Sequence, residues 1–217
     1  MKLLDLYCCG GGASAGYVDA GFDVVGVDIR PQPKYPFSFV QADVLALSPD
    51  FLATFDAIHA SPPCQAHSSI TRVSGKSHAD LIPQTRALLR ASGRPYTIEN
   101  VVGAPLIDPF LLCGTMFGLG TSCGAELRRH RLFEANWYVG LLPICQHSGG
   151  PTITITGNTP QSNVVRNKVR VTYSASEARR AMGIDWLAVA ELREAIPPSY
   201  TRLIGHRLMN HIRQGGL

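Results

Sequence analysis

The chain has 217 residues and a mass of 23.4 kDa, with 45% hydrophobic and 17% charged side chains. That balance excludes a disordered polypeptide, and the length gives room for one cored domain without staples. Lysine and arginine (20) outnumber aspartate and glutamate (16), a net charge of +4; no apolar run reaches the roughly 20 residues of a membrane helix, the start MKLLDLYCCGGG is not a secretory signal, and six cysteines in that context indicate a reduced, cytoplasmic setting.

Residues 2–7 are an apolar run entering Gly10-Gly11-Gly12, the pattern of a buried strand feeding a turn. Residues 13–20 predict a helix stopped by Gly21, and 22–28 (FDVVGVD) a second buried strand. A short strand at 39–43 and a short helix at 49–54 follow. Residues 55–60 (FDAIHA) predict a fourth strand, closed by Pro62-Pro63. Leu81, Ala87, Leu88 and Leu89 give 77–92 a helical period, and 95–99 (PYTIE) predict a fifth strand. Such alternation predicts an open, mostly parallel α/β sheet, with ligands at the carboxyl ends of its strands. From Gly103 the pattern is irregular. Residues 132–137 predict a strand, and 151–157 and 168–173 alternate as two arms of a hairpin with a polar tip at 158–167. Ser174 with Glu177 predicts a capping box opening a helix to Met182, followed by helices at 186–195 and 198–212. Trp137 and Trp186 are expected as core anchors.

The polar residues just after each strand carry the chemistry. The glycine turn gives a ligand close access to the backbone, Asp28 stands where an acidic residue bonds a ribose diol, and Asp43 is placed to reach an adenine amine. Each aspartate alone would equally be a turn cap. After the fourth strand, two prolines present the Cys64 thiol, the side chain best suited to nucleophilic attack when cations stabilise its thiolate. Glu99 ends the fifth strand as a carboxyl able to act as a general acid if burial raises its pKa. Arg128, Arg129, His130 and Arg131 form the densest basic cluster, suited to phosphates or to the thiol. Cys113, Cys123, Cys145 and His147 are ligand types, but their spacing fits no paired CxxC pattern, so no metal is assigned.

The ordered set LYCCGGGASAGY, GVDIRP, QADV, SPPCQAHS, ENV and RRHRLF resembles the DNA cytosine-C5 methyltransferases over residues 1–135, and AIPPSYTRLIG is similar to that family's last motif. The resemblance implies a Rossmann-like S-adenosylmethionine-dependent methyltransferase sheet with a small β-hairpin insertion and C-terminal helices. It divides the chain into a catalytic segment (1–135), a minimal target-recognition insertion (136–173) and helices that complete the catalytic domain (174–217). S-adenosylmethionine would lie against Tyr7, Gly11, Gly12, Asp28, Ile29, Asp43, Val44 and Pro62. Cys64 would attack C6 of a flipped cytosine, Glu99 would engage N3 and the exocyclic amine, Asn100 would brace the proline loop, and Arg131 with Arg129 would face the cytosine O2 and the thiolate.

Several positions depart from the family's pattern. Tyr7 and Cys9 stand in place of a phenylalanine and a glycine, Leu127 in place of a glutamine, Arg193-Glu194 in place of Gly-Asn, and His67 where an aromatic residue is common. Residues 136–173 are too few to fold alone, which implies short, two-base recognition with phosphates held by Arg128, Arg129, Arg166, Lys168 and Arg170. The implied partner is double-stranded DNA, met by a monomer with no membrane contact, in the host cytoplasm if a phage encodes the chain. Two alternatives share these residues: the same thiol chemistry on another pyrimidine or with a modified donor, and a silent DNA-binding subunit.

Overall fold

The computed structural model describes residues 1–64, 79–156, 160–166 and 169–215, with the backbone alone for the strand residues 162–166 and 169–171. Its main sheet has seven strands in the order β3-β2-β1-β4-β5-β8-β6. These are β1 (Lys2–Leu6), β2 (Asp23–Asp28), β3 (Ser38–Gln41), β4 (Ala57–Ala60), β5 (Tyr96–Asn100), β6 (Phe110–Leu112) and β8 (Arg131–Ala135). The first five named run parallel; β8 is antiparallel to both β5 and β6. The α/β class expected from the alternation is the one found. Parallel strands must be covered on both faces, which is why β1, β2 and β4 read as continuous apolar runs.

One face carries α1 (Gly12–Asp19) and α6 (Pro198–Arg213), which enclose Leu3, Tyr17, Phe133, Tyr200 and Ile204. The other carries α2 (Pro49–Leu52) and α3 (Ile82–Ala91), packed over Leu4, Leu6, Ile58 and Ile98. The helices α1 and α6 meet backbone to backbone. A Cβ on Gly16 would stand 2.0 Å from the Pro198 carbonyl, and one on Gly12 would stand 2.5 Å from that of Ile196. Thr201 Oγ1 donates to the Ala13 carbonyl at 2.7 Å, closing this contact.

A second sheet has the order β11-β10-β9-β7, from β7 (Glu126–Leu127), β9 (Thr152–Thr154), β10 (Gln161–Arg166) and β11 (Val169–Thr172). Leu127, Ile153 and Ile155 pack on Ala178, Ala181 and Met182 of α4 (Ala175–Met182). The arms at 151–157 and 168–173 do not pair directly: β10, drawn from the expected polar tip, lies between them. In its sequence QSNVVR only Val164 and Val165 favour a strand, and β10 pairs with β9 on one side and β11 on the other. β7, from the segment assigned to catalysis, joins this sheet through β9, so the sheet is not built from the insertion alone. The helix expected at 186–195 shrinks to α5 (Val189–Leu192), because Ala188 is extended (ψ 157°) and Trp186 and Leu187 turn down onto Gly10.

Ser174 caps α4, its hydroxyl accepting from the Glu177 amide at 3.2 Å. The Glu177 carboxylate leaves the expected capping box and takes the Ser122 amide and hydroxyl instead. Trp137 is buried in the core, whereas Trp186 is half-buried and donates from Nε1 to the Gly10 carbonyl at 2.9 Å.

Candidate functional site

Strand order reverses between β1 and β4, so the loops leaving their carboxyl ends diverge and open a crevice there. A cleft of about 340 Å³ occupies this edge. Tyr7 and Cys9 line it from β1, Asp28, Ile29 and Arg30 from β2, and Ser61, Pro62, Pro63 and Cys64 from β4. Glu99 and Val101 enter from β5, Arg131 from β8, and Arg193 with Glu194 from the turn after α5.

The turn after β1 is built on left-handed backbone: φ is 59° at Tyr7, 44° at Cys9 and 83° at Gly11. Side chains in that region cost about 1 kcal/mol each, and such costs gather at functional turns. Here the turn aims the Cys9 amide at Asp28 Oδ2 (3.1 Å), while the Arg30 amide reaches Oδ1 (2.9 Å). The Asp28 carboxylate is therefore fixed and buried, with lone pairs left over on both oxygens. The Tyr7 hydroxyl bonds Thr85 Oγ1 at 2.9 Å, and burial first, then the nearby Asp43, push its pKa up.

Cys64, Glu99 and Arg131 converge although they are far apart in sequence. Arg131 Nε is 2.9 Å from Glu99 Oε1. The convergence follows from strand direction: β8 starts at the edge where β5 ends, with Asn100 in register with Leu132. Asn100 is buried; its Nδ2 donates to the Pro62 carbonyl at 2.9 Å and its Oδ1 accepts from the Val101 amide, tying the proline turn to β5. Ser61 hydrogen-bonds Glu99 and also His59 Nε2 (3.0 Å), whose Nδ1 meets the Tyr17 hydroxyl (3.0 Å). This buried chain behind Glu99 was not legible, since His59 reads as one residue of an apolar strand. Desolvation holds His59 neutral, with its pKa lowered to about 3.

Burial raises the pKa of Glu99 against the opposing pull of Arg131 and Arg129. Burial likewise raises that of the Cys64 thiol; Glu99 adds to the rise, and Arg131 and Arg129 reduce it. The resting arrangement is thus a thiol and a carboxyl leaning toward their protonated forms beside one fixed guanidinium.

Other expected site residues stand elsewhere. The glycines were read as room for a ligand; at Gly12 the room is taken by Ile196, and at Gly10 by Leu187. Gly11 faces the Tyr35 ring, whose hydroxyl bonds Ser14 at 2.8 Å; Tyr35 gave no sequence signal. Asp43 is an exposed cap, accepting from the Leu45 amide at 3.0 Å, and Val44 is buried in the core, so neither lines the cleft.

Arg129 was expected at the base and the phosphates, and the structure corrects this. It is only 9% exposed, and its guanidinium donates to the carbonyls of Ala195 (3.1 Å), Ile155 (3.3 Å) and Arg193. Desolvation, with Arg131 nearby, lowers its pKa to about 9. Three of its five donors are spent on these carbonyls, and a guanidinium so buried is poorly placed to meet a phosphate. Arg128 is partly exposed but paired with Glu126 at 2.9 Å. Lys168 lies outside the described residues, as do Gln65, His67, Asn158 and Asn167; Arg166 and Arg170 lie in β10 and β11, their side chains undescribed. The departures Arg193 and Glu194 sit on the cleft wall, with Glu194 3.7 Å from Arg30 across the mouth. Cys113, Cys145 and His147 come together with His130, a residue the spacing argument left out, while Cys123 is exposed outside the group.

No family model matches the chain, and no curated protein sequence matches it. Solved structures do. The chain is similar to a protein assigned as a DNA modification methyltransferase encoded within an E. coli prophage, with a TM-score of 0.66 and 16% identity over 98% of this chain and 99% of that one. It is similar to the S. pombe Dnmt2 methyltransferase (0.65, 13%, 97% and 98%) and to a mutant Spodoptera frugiperda DNMT2 (0.61, 14%, 96% and 99%). At these identities the likeness establishes the fold. No helix among the described residues is long and apolar enough to cross a membrane.

Proposed function

We propose that the protein is an S-adenosylmethionine-dependent DNA cytosine-C5 methyltransferase. One observation carries this reading: a thiol, a buried carboxyl and a guanidinium meet at the sheet's carboxyl edge, in one cleft with a fixed aspartate. The fold it shares with a protein assigned as a DNA modification methyltransferase supports the same reading.

Cys64 is the nucleophile: its thiolate adds to C6 of a cytosine turned out of the duplex so that C5 gains electron density, and after methylation loss of the C5 proton to a base expels the thiolate and restores the ring. Glu99, its pKa raised by burial against the pull of Arg131, engages N3 and the exocyclic amine of the base. Arg131 holds Glu99 in orientation and faces O2. Asn100 is a positioning residue, acting through the Pro62 carbonyl on the turn that carries Cys64. The residues fit S-adenosylmethionine: Asp28 offers its free lone pairs to the ribose hydroxyls, and Tyr7, Ile29 and Pro62 give apolar walls for the adenine. When bound, that cofactor supplies the methyl group. Arg193 and Glu194 stand at the methionine end in place of the family's Gly-Asn.

Recognition is short, on this reading, because the small sheet offers few side chains to a groove, and Arg129 is withdrawn into the core. The test is incubation with S-adenosylmethionine on duplex DNA, single-stranded DNA and RNA, with nucleoside mass spectrometry and bisulfite sequencing. Expected are 5-methylcytosine in duplex DNA, its loss in Cys64→Ala, and a methylated consensus of two fixed bases. Methylation confined to RNA or single strands refutes the duplex substrate; a consensus of five or six bases refutes short recognition.

A further inference from the structure

The irregular stretch between β8 and β9 runs over the surface without strand or helix among its described residues, and it exposes Tyr138, Leu141 and Ile144. Loops of this length without secondary structure are uncommon inside a compact domain. At its far end Cys145 and His147 reach back to Cys113, just after β6, and to His130, just before β8.

Cys145 Sγ is 3.1 Å from His147 Nε2 and 3.4 Å from His130 Nε2, and His147 Nε2 is 3.5 Å from Cys113 Sγ. All four ligand atoms lie within 4.8 Å of one another. Zinc–sulfur and zinc–nitrogen bonds of about 2.3 and 2.0 Å make a tetrahedron with edges of roughly 3.3–3.8 Å. The three measured edges are near those lengths. Hydrogen bonding does not require such a shape: a single nitrogen, His147 Nε2, lies between two sulfurs, where a neutral imidazole nitrogen has one proton or one lone pair to offer. Thr115 Oγ1 is 3.2 Å from Cys113 Sγ and 4.0 Å from Cys145 Sγ, placed to donate to a metal-bound thiolate as an outer-shell partner.

From this geometry we infer that Cys113, His130, Cys145 and His147 form a tetrahedral structural zinc site. Two sulfurs and two imidazole nitrogens suit Zn²⁺, and four protein ligands leave no open position for catalysis. Binding releases the two thiol protons, and the two thiolates neutralise the ion. The site is a positioning device. It anchors the loop to β6 and fixes His130, whose carbonyl accepts from Arg131 Nη1 at 2.8 Å, so it steadies the guanidinium beside Glu99.

The test uses the full chain and does not depend on methyl transfer. Protein purified without chelator is expected to hold one zinc per chain by elemental mass spectrometry. Chelated protein refilled with Co²⁺ is expected to show the intense d–d bands of a tetrahedral site and a thiolate-to-cobalt charge-transfer band. Zinc is expected to raise the melting temperature of the chelated protein. Cys145→Ser and His147→Ala should lose the stoichiometric ion, while Cys123→Ser keeps it. If the ligand variants fail to fold, the cobalt spectrum of the unaltered chain decides. A wild-type protein supplied with zinc that holds almost none, a weak octahedral cobalt spectrum, a Cys113–Cys145 disulfide by mass, or zinc lost from Cys123→Ser overturns the assignment.

Discussion

Arg129 gives the sharpest test of where the basic residues act. Replacing it with alanine removes three donors from the carbonyls of Ala195, Ile155 and Arg193 and leaves a void beneath the C-terminal segment. Each buried carbonyl stripped of a donor costs about 1–3 kcal/mol, so losing the bonds to all three should cost at least about 3 kcal/mol. Against a stability of about 5–15 kcal/mol, that is a large share. Arg129→Lys should fall between, at about 2 kcal/mol, because an ammonium reaches one or two of the three carbonyls. Arg128→Ala removes a partly exposed pair and should cost about 0–1 kcal/mol. Urea unfolding followed by the fluorescence of Trp137 and Trp186 measures all three variants. If Arg129→Ala unfolds like wild type while the salt dependence of DNA affinity becomes shallower, the residue contacts a phosphate and the buried-peg argument is wrong.

Gly16→Ala gains about 1 kcal/mol of helix propensity but drives a methyl into the Pro198 carbonyl and Thr201 Oγ1. Overpacking against backbone costs about 1–3 kcal/mol or more, so the midpoint of urea unfolding should fall; a variant as stable as wild type refutes the tight α1–α6 contact. Because burial raises the Cys64 thiol pKa and the thiolate attacks, single-turnover methyl transfer should climb with pH through neutrality, by about tenfold per unit below the apparent pKa of the Cys64–Glu99 pair. Arg131→Gln removes a cation that lowers the thiol's pKa and should move this limb to higher pH; a flat profile, or a shift to lower pH, refutes the assignment.

Much of the main sheet was legible because its physics is local. The strands β1, β2, β4 and β5 are buried on both faces and declare themselves as apolar runs, and the order of functional residues follows from their carboxyl ends. β6 and β7, with three and two residues, carry too little pattern to find. β10 is paired with β9 on one side and β11 on the other, and that pairing is not written in its own sequence. The glycines were visible, but not what fills their space: Leu187, Ile196 and Pro198 lie far along the chain. Likewise only Cys145 and His147 are near in sequence among the four clustered ligands; Cys113 and His130 reach them through the pairing of β6 with β8. Arg129 and Arg131 read as one basic cluster, yet Arg129 lies in the link before β8 and turns to the carbonyls of the C-terminal segment, whereas Arg131 opens β8 at the cleft.

The closure of α1 by the last helix also sets an order of events during biosynthesis. Domains form from the amino end as the chain leaves the ribosome. β1 through β5 emerge well before Trp186 donates to Gly10, before Thr201 reaches Ala13, and before the carbonyls at 193 and 195 exist to receive Arg129. A nascent chain can therefore carry the thiol, carboxyl and guanidinium while one wall of their cleft is still untranslated. That wall and two of the carbonyls that receive Arg129 belong to the same short segment, so both are completed together.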